Sequence, residues 1–399
     1  MSPSKVSNVD FENFHNIVNG RPVSAKEAKE SYHGVMPATG EELWPVPVAT
    51  EDDLNEAVDA ARKAFKTWRN VPVENRRQAL YKWSDRIAQY KNELGTLIMK
   101  EVGRPKAFAD MEVDIIVGMI NTLAALDLPV DIIEGDEKTL TTRYQPLGVV
   151  GGIAPWNFPV ILSMNKVASA LITGCTIIVK PSPFTPYSAL KCVEIAQEFF
   201  PPGVVQALGG NDKLGPWLTA HPGVDKIAFT GSIATGKAIM AACAKTLKRV
   251  TLELGGNDVA IVLPDVDIAK VAPELVLGAI QNSGQFCVAT KRILIPQSIY
   301  RPMVDAMVGF TKHLKAGPPD DPSSAIGPVQ NKMQYERVKG FFEDCKKNGY
   351  NFATEEDTVK NGKGYFIPIT IIDNPPTESR IVQEEPFGKY WRVMVGIRR

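Results

Sequence analysis

Apolar residues recur at helical spacing along the first third of the chain. Thr50 precedes three acidic residues, which is typical of a helix N-cap with acids in the first turn. Leu54, Val58, Ala61 and Phe65 then follow on one helical face, so a helix is predicted there. Two more helices are predicted over residues 73–90 and 110–126.

From about residue 147 the pattern changes to short β-branched runs that alternate with helical segments. The runs, bounded by Gly and Pro, predict buried strands at 175–180, 204–208, 224–229 and 249–254. The intervening helices are predicted at 163–172, closed by Gly174, at 187–200 and at 235–247. A second series follows Gly256, with strands at 258–263 and 291–296 and helices at about 267–282 and 301–314. Such alternation predicts an α/β fold built on a parallel, doubly wound sheet.

Composition limits the binding partners and the cellular compartment that we expect for this protein. The 399 residues carry 45 Lys+Arg against 45 Asp+Glu, which gives no basic stripe of the kind that nucleic acid or an acidic membrane surface requires. The five cysteines are dispersed, which favours a reducing compartment over a disulfide framework. The longest apolar stretch, 147–162, is interrupted by Gly and Pro, and the N-terminus lacks an apolar signal region. We expect a cytoplasmic protein with no membrane segment, no nucleic-acid partner and no metal site.

A glycine-rich turn lies between a predicted strand and a predicted helix. Gly231, Ser232 and Gly236 follow the strand, and free N–H groups at a helix N-terminus attract phosphate. The segment has neither the GxGxxG nor the GxxxxGK[ST] spacing, so a plain strand-to-helix turn is the alternative.

Two further segments contain groups suited to nucleophile and base. Cys287, in Gly-Gln-Phe-Cys, lies just past a predicted helix, where a thiol is exposed enough to react; a buried structural cysteine is the alternative. Glu253 ends an apolar strand before two glycines. An acid in apolar surroundings has a raised pKa that suits a general base, whereas the alternative is an exposed glutamate at a sheet edge.

Asn157 and Lys180 are the remaining candidates. Asn157 lies between two prolines, and a rigid amide is a good oxyanion donor; a structural turn is the alternative. Lys180 ends a strand, where open α/β sheets contact cofactors, although a strand-end lysine is more often only solvated.

The order and spacing of these segments resemble the aldehyde dehydrogenase superfamily. Pro-Trp-Asn-Phe-Pro, Lys-Pro-Ser, Phe-Thr-Gly-Ser, Glu-Leu-Gly-Gly, Gly-Gln-x-Cys and Glu-Glu-Pro-Phe-Gly follow one another, and the resemblance runs from about residue 14 to Gly388. It implies oxidation of an aldehyde to a carboxylic acid with NAD or NADP. Cys287 matches the nucleophile, Asn157 the oxyanion donor and Glu253 the base that activates water for thioester hydrolysis. The implied cofactor residues are Trp156, Lys180, Gly231, Ser232, Gly236, Glu385 and Phe387.

The resemblance also implies a domain plan and an oligomer. Residues 1–126 and 147–254 would form a Rossmann-like cofactor domain, 127–146 a β arm that bridges the subunits of a homo-oligomer, and 255–399 the catalytic domain. Pro183 replaces a glutamate that many NAD-preferring relatives have, so the choice between NAD and NADP stays open.

The sequence departs from the family after Gly388, and we treat the chain as truncated at its C-terminus, which makes its assembly and activity open questions. A non-catalytic isoform that binds the cofactor or partner subunits is therefore the alternative function. A reductase of acyl-CoA or acyl phosphate is a third interpretation, against which Glu253 and the Trp-Asn-Phe-Pro segment count.

Overall fold

The computed structural model describes residues 9–354 and 363–395. Their strands are β1 (His15–Val18), β2 (Arg21–Ser24), β3 (Ser31–Val35), β4 (Glu42–Pro47), β5 (Val130–Glu134), β6 (Thr139–Arg143), β7 (Val149–Ile153), β8 (Thr176–Lys180), β9 (Val205–Ala207), β10 (Lys226–Thr230), β11 (Arg249–Glu253), β12 (Val259–Ile261), β13 (Arg292–Ile295), β14 (Asn351–Phe352), β15 (Thr370–Asp373) and β16 (Tyr390–Val395). Their α-helices are α1 (Glu51–Trp68), α2 (Val73–Gln89), α3 (Lys91–Val102), α4 (Lys106–Ala125), α5 (Pro159–Ile172), α6 (Tyr187–Ala196), α7 (Leu214–Ala220), α8 (Ile233–Ala244), α9 (Ile268–Ile280), α10 (Tyr300–Thr311), α11 (Lys332–Lys347) and α12 (Arg380–Gln383).

The chain divides into two compact units. Unit 1 comprises residues 1–34, 44–97 and 110–253, and unit 2 comprises 35–43, 98–109 and 254–399. Both are α/β, which confirms the predicted fold class. The predicted helix start at Thr50 is also confirmed, because its side chain accepts the Asp53 N–H while the Asp53 carboxylate accepts the Thr50 N–H.

Unit 1 contains a seven-stranded sheet in the order β11-β10-β7-β8-β9-β1-β2. The first five strands are parallel, β1 pairs antiparallel with β9, and β2 pairs antiparallel with β1. The chain runs outward from β7 through β8 to β9, and then returns to the other side of β7 with β10 and β11. Every residue of β7, β8 and β9 is buried, as expected for strands covered on both faces.

A separate hairpin of β5 and β6 is exposed at every position. Val130, Ile132, Ile133 and Leu140 are its large apolar side chains, and each is at least half exposed. The hairpin lies within the segment predicted as a β arm, and its apolar surface is of the kind that another protein surface covers.

Unit 2 contains a five-stranded sheet in the order β12-β13-β16-β15-β14, in which only β14 is antiparallel to its neighbour. Side chains alternate across it: Ile293 and Val393 pack in a core with α9 and α10, whereas Ile372 and Met394 pack in a core with α11 and α12. Strand β16 thus lies in the middle of the sheet, within the tail that was predicted to diverge. Residues 396–399 of that tail lie outside the described residues.

The residues around β16 include two buried cations. Lys389 is completely buried, and burial lowers the pKa of its ammonium to about 7. Arg392 is also completely buried, and its Nη2 donates to the Val382 carbonyl (3.0 Å) and to the Asn257 amide oxygen. The two hydrogen bonds of Nη2 offset only part of the cost of burying Arg392, because its Nε and Nη1 have no hydrogen-bond partner among the described residues. Lys389 Nζ has none there either.

Several predicted boundaries differ from those observed. Helix α5 begins at Pro159, four residues before the predicted start, because proline is well suited to the first position of a helix. Helix α6 ends at Ala196, and the chain continues to Phe200 in turns. Helices α3, α7, α11 and α12 were not predicted, and neither was strand β7.

Candidate active site

Seven of the ten predicted site residues lie in unit 1, at the carboxyl edge of its sheet. Asn157 follows β7, Lys180 ends β8, Ser232 follows β10 and Glu253 ends β11. The strand order reverses between β7 and β10, and such a reversal opens a crevice at the carboxyl ends of the strands where ligands bind. The fold therefore brings these segments to the edge where a dinucleotide would be expected.

The N-terminus of α8 is suited to a phosphate. Ser232 caps the helix by accepting the Thr235 N–H at 3.2 Å, and the first turn contains no acidic residue. Residues 232–235 are exposed, and the first N–H groups of a helix lack intrahelical partners. A Cβ at Gly231 would lie 2.4 Å from the Phe229 ring, so a side chain cannot replace this glycine without displacing the aromatic ring. Gly236 is buried in the same first turn.

Trp156 and Lys180 lie at the ends of the next two strands of the sheet. Trp156 follows β7, which is the neighbour of β10, and Lys180 ends β8, which is the neighbour of β7. Lys180 is buried, and burial lowers the pKa of its ammonium to about 8 while the Asp212 carboxylate opposes the shift. Trp156 is half-buried, and its carbonyl accepts the Thr185 hydroxyl at 3.1 Å. Together with the exposed N-terminus of α8, a buried amine and a half-buried aromatic side chain form a set of groups that would fit a dinucleotide.

The Asn157 segment is fixed by the start of α5. Pro159 is the first residue of that helix, and Glu112 Oε1 accepts the N–H groups of Val160 at 2.9 Å and Ile161 at 3.1 Å. A carboxylate at this position satisfies free N–H groups and complements the helix dipole. Asn157 itself is 4% exposed, so its amide is held in a buried, well-defined place. The Asn157 turn therefore has a structural role, and its buried side-chain amide is also suited to donate a hydrogen bond to an oxyanion.

Glu253 ends an edge strand and is exposed, which agrees with the edge-glutamate alternative for its environment. Lys166, which no sequence motif singles out, lies within electrostatic range of Glu253. Its Nζ donates to Thr230 Oγ1 at 2.6 Å and to the Leu162 carbonyl at 2.9 Å. Burial lowers the pKa of Lys166 to about 8, and the Glu253 carboxylate opposes that shift. A lysine that can exchange a proton near neutral pH thus lies within electrostatic range of the predicted base.

In unit 2, Cys287 follows an unusual left-handed turn. Asn282, Ser283 and Gly284 have φ values of 48°, 60° and 73°, and a Cβ at Gly284 would lie 2.0 Å from the Gly388 carbonyl oxygen. Two non-glycine residues in this conformation store strain that the surroundings must hold. The turn is held in part by Ser283 Oγ, which donates to the Gly327 carbonyl at 2.9 Å.

Gln285 provides the second anchor of this turn. Its Oε1 accepts the Gln330 N–H at 2.8 Å, and its Nε2 donates to the Asn282 carbonyl at 2.9 Å. The glycine and the glutamine of the Gly-Gln-x-Cys motif therefore both have structural roles in the turn that precedes Cys287. Cys287 is partly exposed, whereas the other four cysteines are buried. The partial exposure of Cys287 therefore favours a reactive thiol over a buried structural cysteine.

Glu385 and Phe387 lie in the same unit. A Cβ at Gly255 would be 2.5 Å from Glu385 Oε2, so the first glycine after Leu254 leaves room for that carboxylate. Burial raises the pKa of Glu385, and the Lys291 ammonium, whose Nζ lies 3.0 Å from Glu385 Oε1, opposes the shift. Phe387 has a φ of 53°, and Gln334 Nε2 donates to its carbonyl at 2.9 Å. Lys291 and Gln334 are contacts that sequence reasoning missed.

Within residues 9–354 and 363–395, no group of three or more His, Cys, Asp or Glu side chains is arranged to hold a metal ion. None of the helices in this part of the chain is both long and apolar enough to cross a membrane.

A doubly wound sheet with an exposed helix N-terminus at its switch point, in a chain with a partly exposed cysteine, is typical of nicotinamide-dependent oxidoreductases. The aldehyde dehydrogenase family model matches residues 23–394, and the chain belongs to this family. The match continues six residues past Gly388, so the predicted divergence begins later than the sequence pattern suggested.

Individual relatives agree with this assignment. An aldehyde dehydrogenase of Gibberella moniliformis is 43% identical over 380 residues, which are 95% of this chain and 80% of that protein. The NAD+ complex of an aldehyde dehydrogenase from Bacillus cereus is 35% identical, with a TM-score of 0.93 over 97% of this chain and 80% of that one. An NADP-dependent enzyme of E. coli is 30% identical, with a TM-score of 0.93 over 99% of this chain and 83% of that one.

Proposed function

We propose that the protein oxidises an aldehyde to a carboxylic acid with NAD or NADP, with Cys287 as the nucleophile. The observation that carries the proposal is the Cys287 loop, a strained left-handed turn that holds the one partly exposed cysteine of the chain. A structural cysteine needs neither exposure nor a strained support.

Cys287 is proposed to attack the aldehyde carbonyl as a thiolate and to form a hemithioacetal. The Asn157 amide then donates a hydrogen bond to the oxyanion that develops at the former carbonyl oxygen. The bound nicotinamide supplies the hydride acceptor for this hemithioacetal. Cys287 is left acylated as a thioester, and the carbonyl is restored.

Glu253 is proposed to take a proton from the water that attacks this thioester. The exposed position of Glu253 at the end of β11 gives the carboxylate access to water. Lys166, whose pKa is lowered to about 8, is suited to receive or return a proton on the same side of unit 1. Cys287 leaves as a thiolate, and the products are the carboxylic acid and the reduced cofactor.

The cofactor is proposed to bind with its pyrophosphate at Gly231, Ser232 and Gly236, and its adenosine ribose near Lys180. Trp156 would lie beside it, and Glu385 and Phe387 would hold the nicotinamide ribose and ring. Pro183 provides no carboxylate for the ribose hydroxyls, which favours neither NAD nor NADP. Both cofactors are therefore part of the test.

A panel of aldehydes with each cofactor, followed by the absorbance of the reduced cofactor, tests the reaction. We expect turnover with at least one aldehyde, and its loss in Cys287→Ser. Acid-quenched mass spectrometry of Glu253→Gln should show the acyl group on the peptide that contains Cys287. Folded protein that reduces neither cofactor with any aldehyde would refute the proposal, as would a Cys287→Ser variant with full activity.

We also propose a cytoplasmic location and a homo-oligomer. The exposed apolar side chains of the β5–β6 hairpin support the oligomer, because a surface of this kind is unfavourable in water. Size-exclusion chromatography with light scattering tests it. Replacing Ile132 and Leu140 by Ser should shift the mass toward the monomer, and an unchanged mass would argue against this surface.

A further inference from the structure

Lys291 lies at the centre of the contacts that hold the Cys287 loop. Its Nζ donates to the Phe286 carbonyl at 2.6 Å and to the Cys287 carbonyl at 2.7 Å. The same nitrogen lies 3.0 Å from Glu385 Oε1. One ammonium group thus binds two successive carbonyls of the nucleophile loop and the carboxylate proposed to bind the nicotinamide ribose.

The lysine is itself rigidly placed. It directly precedes β13, and its N–H donates to the Asp258 carbonyl at 3.0 Å. Its carbonyl accepts the Arg392 N–H at 3.2 Å, so the backbone is fixed between neighbouring strands. The residue is 3% exposed, which leaves the ammonium little freedom to leave its three partners.

The surrounding atoms leave little room for another arrangement. A Cβ at Gly256 would lie 3.0 Å from the Cys287 carbonyl oxygen, and a Cβ at Gly255 would lie 2.5 Å from Glu385 Oε2. The two glycines therefore border the same carbonyl and carboxylate that Lys291 binds. This close packing fixes the direction of the Cys287 peptide and, through it, that of the thiol and of the residue's own N–H group.

We propose that Lys291 is a positioning residue that orients the Cys287 loop and Glu385 together. The inference rests on the proposed function, in which Cys287 is the nucleophile and Glu385 contacts the cofactor. Lys291 would then set both the position of the Cys287 thiol relative to the aldehyde and the position of the Glu385 carboxylate relative to the cofactor.

Lys291→Met tests the proposal, because methionine keeps the length of the side chain and removes the charge and the donors. We expect cofactor affinity, measured by tryptophan fluorescence, to fall by about tenfold, the usual cost of one charge-assisted bond. In the cofactor-free protein we expect iodoacetamide to alkylate Cys287 at least about threefold more slowly. Lys291→Arg should recover most of the cofactor affinity.

The matched control is Lys270→Met, because that side chain is 81% exposed and pairs only with Asp267 one turn away. It should leave affinity and alkylation unchanged. In Glu385→Gln, the added Lys291→Met change should lower cofactor affinity little further, because the two side chains act through one contact. A purely structural lysine would lower the thermal midpoint and leave both readouts of the folded protein unchanged.

A folded Lys291→Met protein whose cofactor affinity and Cys287 alkylation lie within twofold of the control would overturn the inference. Should that variant fail to fold, Lys291→Gln keeps a donor for the carbonyls and must still lose cofactor affinity; unchanged affinity there would also overturn it. Neither readout requires turnover. Wild-type protein that oxidises no aldehyde would therefore contradict the proposed function. The alkylation rates of Cys287 would still test whether Lys291 positions the loop.

Discussion

Lys389 gives the sharpest prediction about stability. Its side chain is completely buried beside the central strand of unit 2, and burial alone lowers the pKa of its ammonium from 10.5 to about 7. The unfolded chain keeps the ordinary value, so between about pH 7 and 10.5 the unfolded state binds a proton that the folded state does not. The lysine therefore destabilises the fold throughout that range, and the penalty grows as the pH falls.

The size of this penalty follows from the shift. Each pKa unit corresponds to about 1.4 kcal/mol, so the penalty is about 4 kcal/mol at pH 7 and reaches its full size of about 5 kcal/mol below that pH. Lys389→Met keeps the aliphatic stem and removes the titrating group. We expect the variant to be more stable than the wild type by several kcal/mol near pH 7, and the gain to shrink by about 2–3 kcal/mol between about pH 7.5 and 9.5.

Urea unfolding of both proteins at these two pH values measures the gain. Lys166 and Lys180, whose pKa values are lowered to about 8, titrate in the same range but occur in both proteins, so their effects cancel in the difference. Lys270→Met, at an exposed lysine, is the control and should show no gain. A stability difference between wild type and Lys389→Met that does not change with pH would refute the assignment of a depressed pKa to Lys389.

Three other substitutions have clear expected outcomes. Asn157→Ala should lower kcat by about 10²–10³ without changing cofactor affinity, because the amide is proposed to act only on the developing oxyanion; steady-state kinetics and fluorescence titration measure the two effects. Gly255→Ala should cost more free energy of cofactor binding than free energy of unfolding, because its Cβ would lie 2.5 Å from Glu385 Oε2. Equal losses in the two free energies, measured by fluorescence titration and urea denaturation, would contradict this. Thr50→Ala should lower the free energy of unfolding by about 1 kcal/mol in urea denaturation, because it removes the capping box of α1, and activity at low temperature should be retained.

The fold was predictable where local signals agreed with the tertiary environment. Alternating β-branched runs and amphipathic segments placed β8 to β13, and Thr50 placed the start of α1. Helix α3 was missed because it begins two residues after α2 ends, with no Gly or Pro between Gln89 and Lys91 to mark a boundary. Helix α7 was missed because Gly215 and Pro216, which lie within it, predict a turn when read locally.

The candidate site was predictable only in its motif residues. Cys287, Glu253 and Asn157 stand in recognisable segments, but the groups that hold them come from elsewhere in the chain. Gln334 reaches the Phe387 carbonyl from α11, 53 residues before it, and Lys291 contacts Glu385 across 94 residues. No periodicity or local spacing records such contacts, because they form only when the sheet assembles.

The central place of β16 in unit 2 has a consequence for the order of folding. Strands β12 and β13 form one side of the sheet and β14 and β15 the other, and all four are made on the ribosome before β16. Until residues 390–395 are added, β13 and β15 each have an unpaired edge, and parallel pairing over such separations is slow. Newborn chains are therefore most prone to aggregate during this interval, and a chaperone that protects strand edges should raise the yield of folded protein.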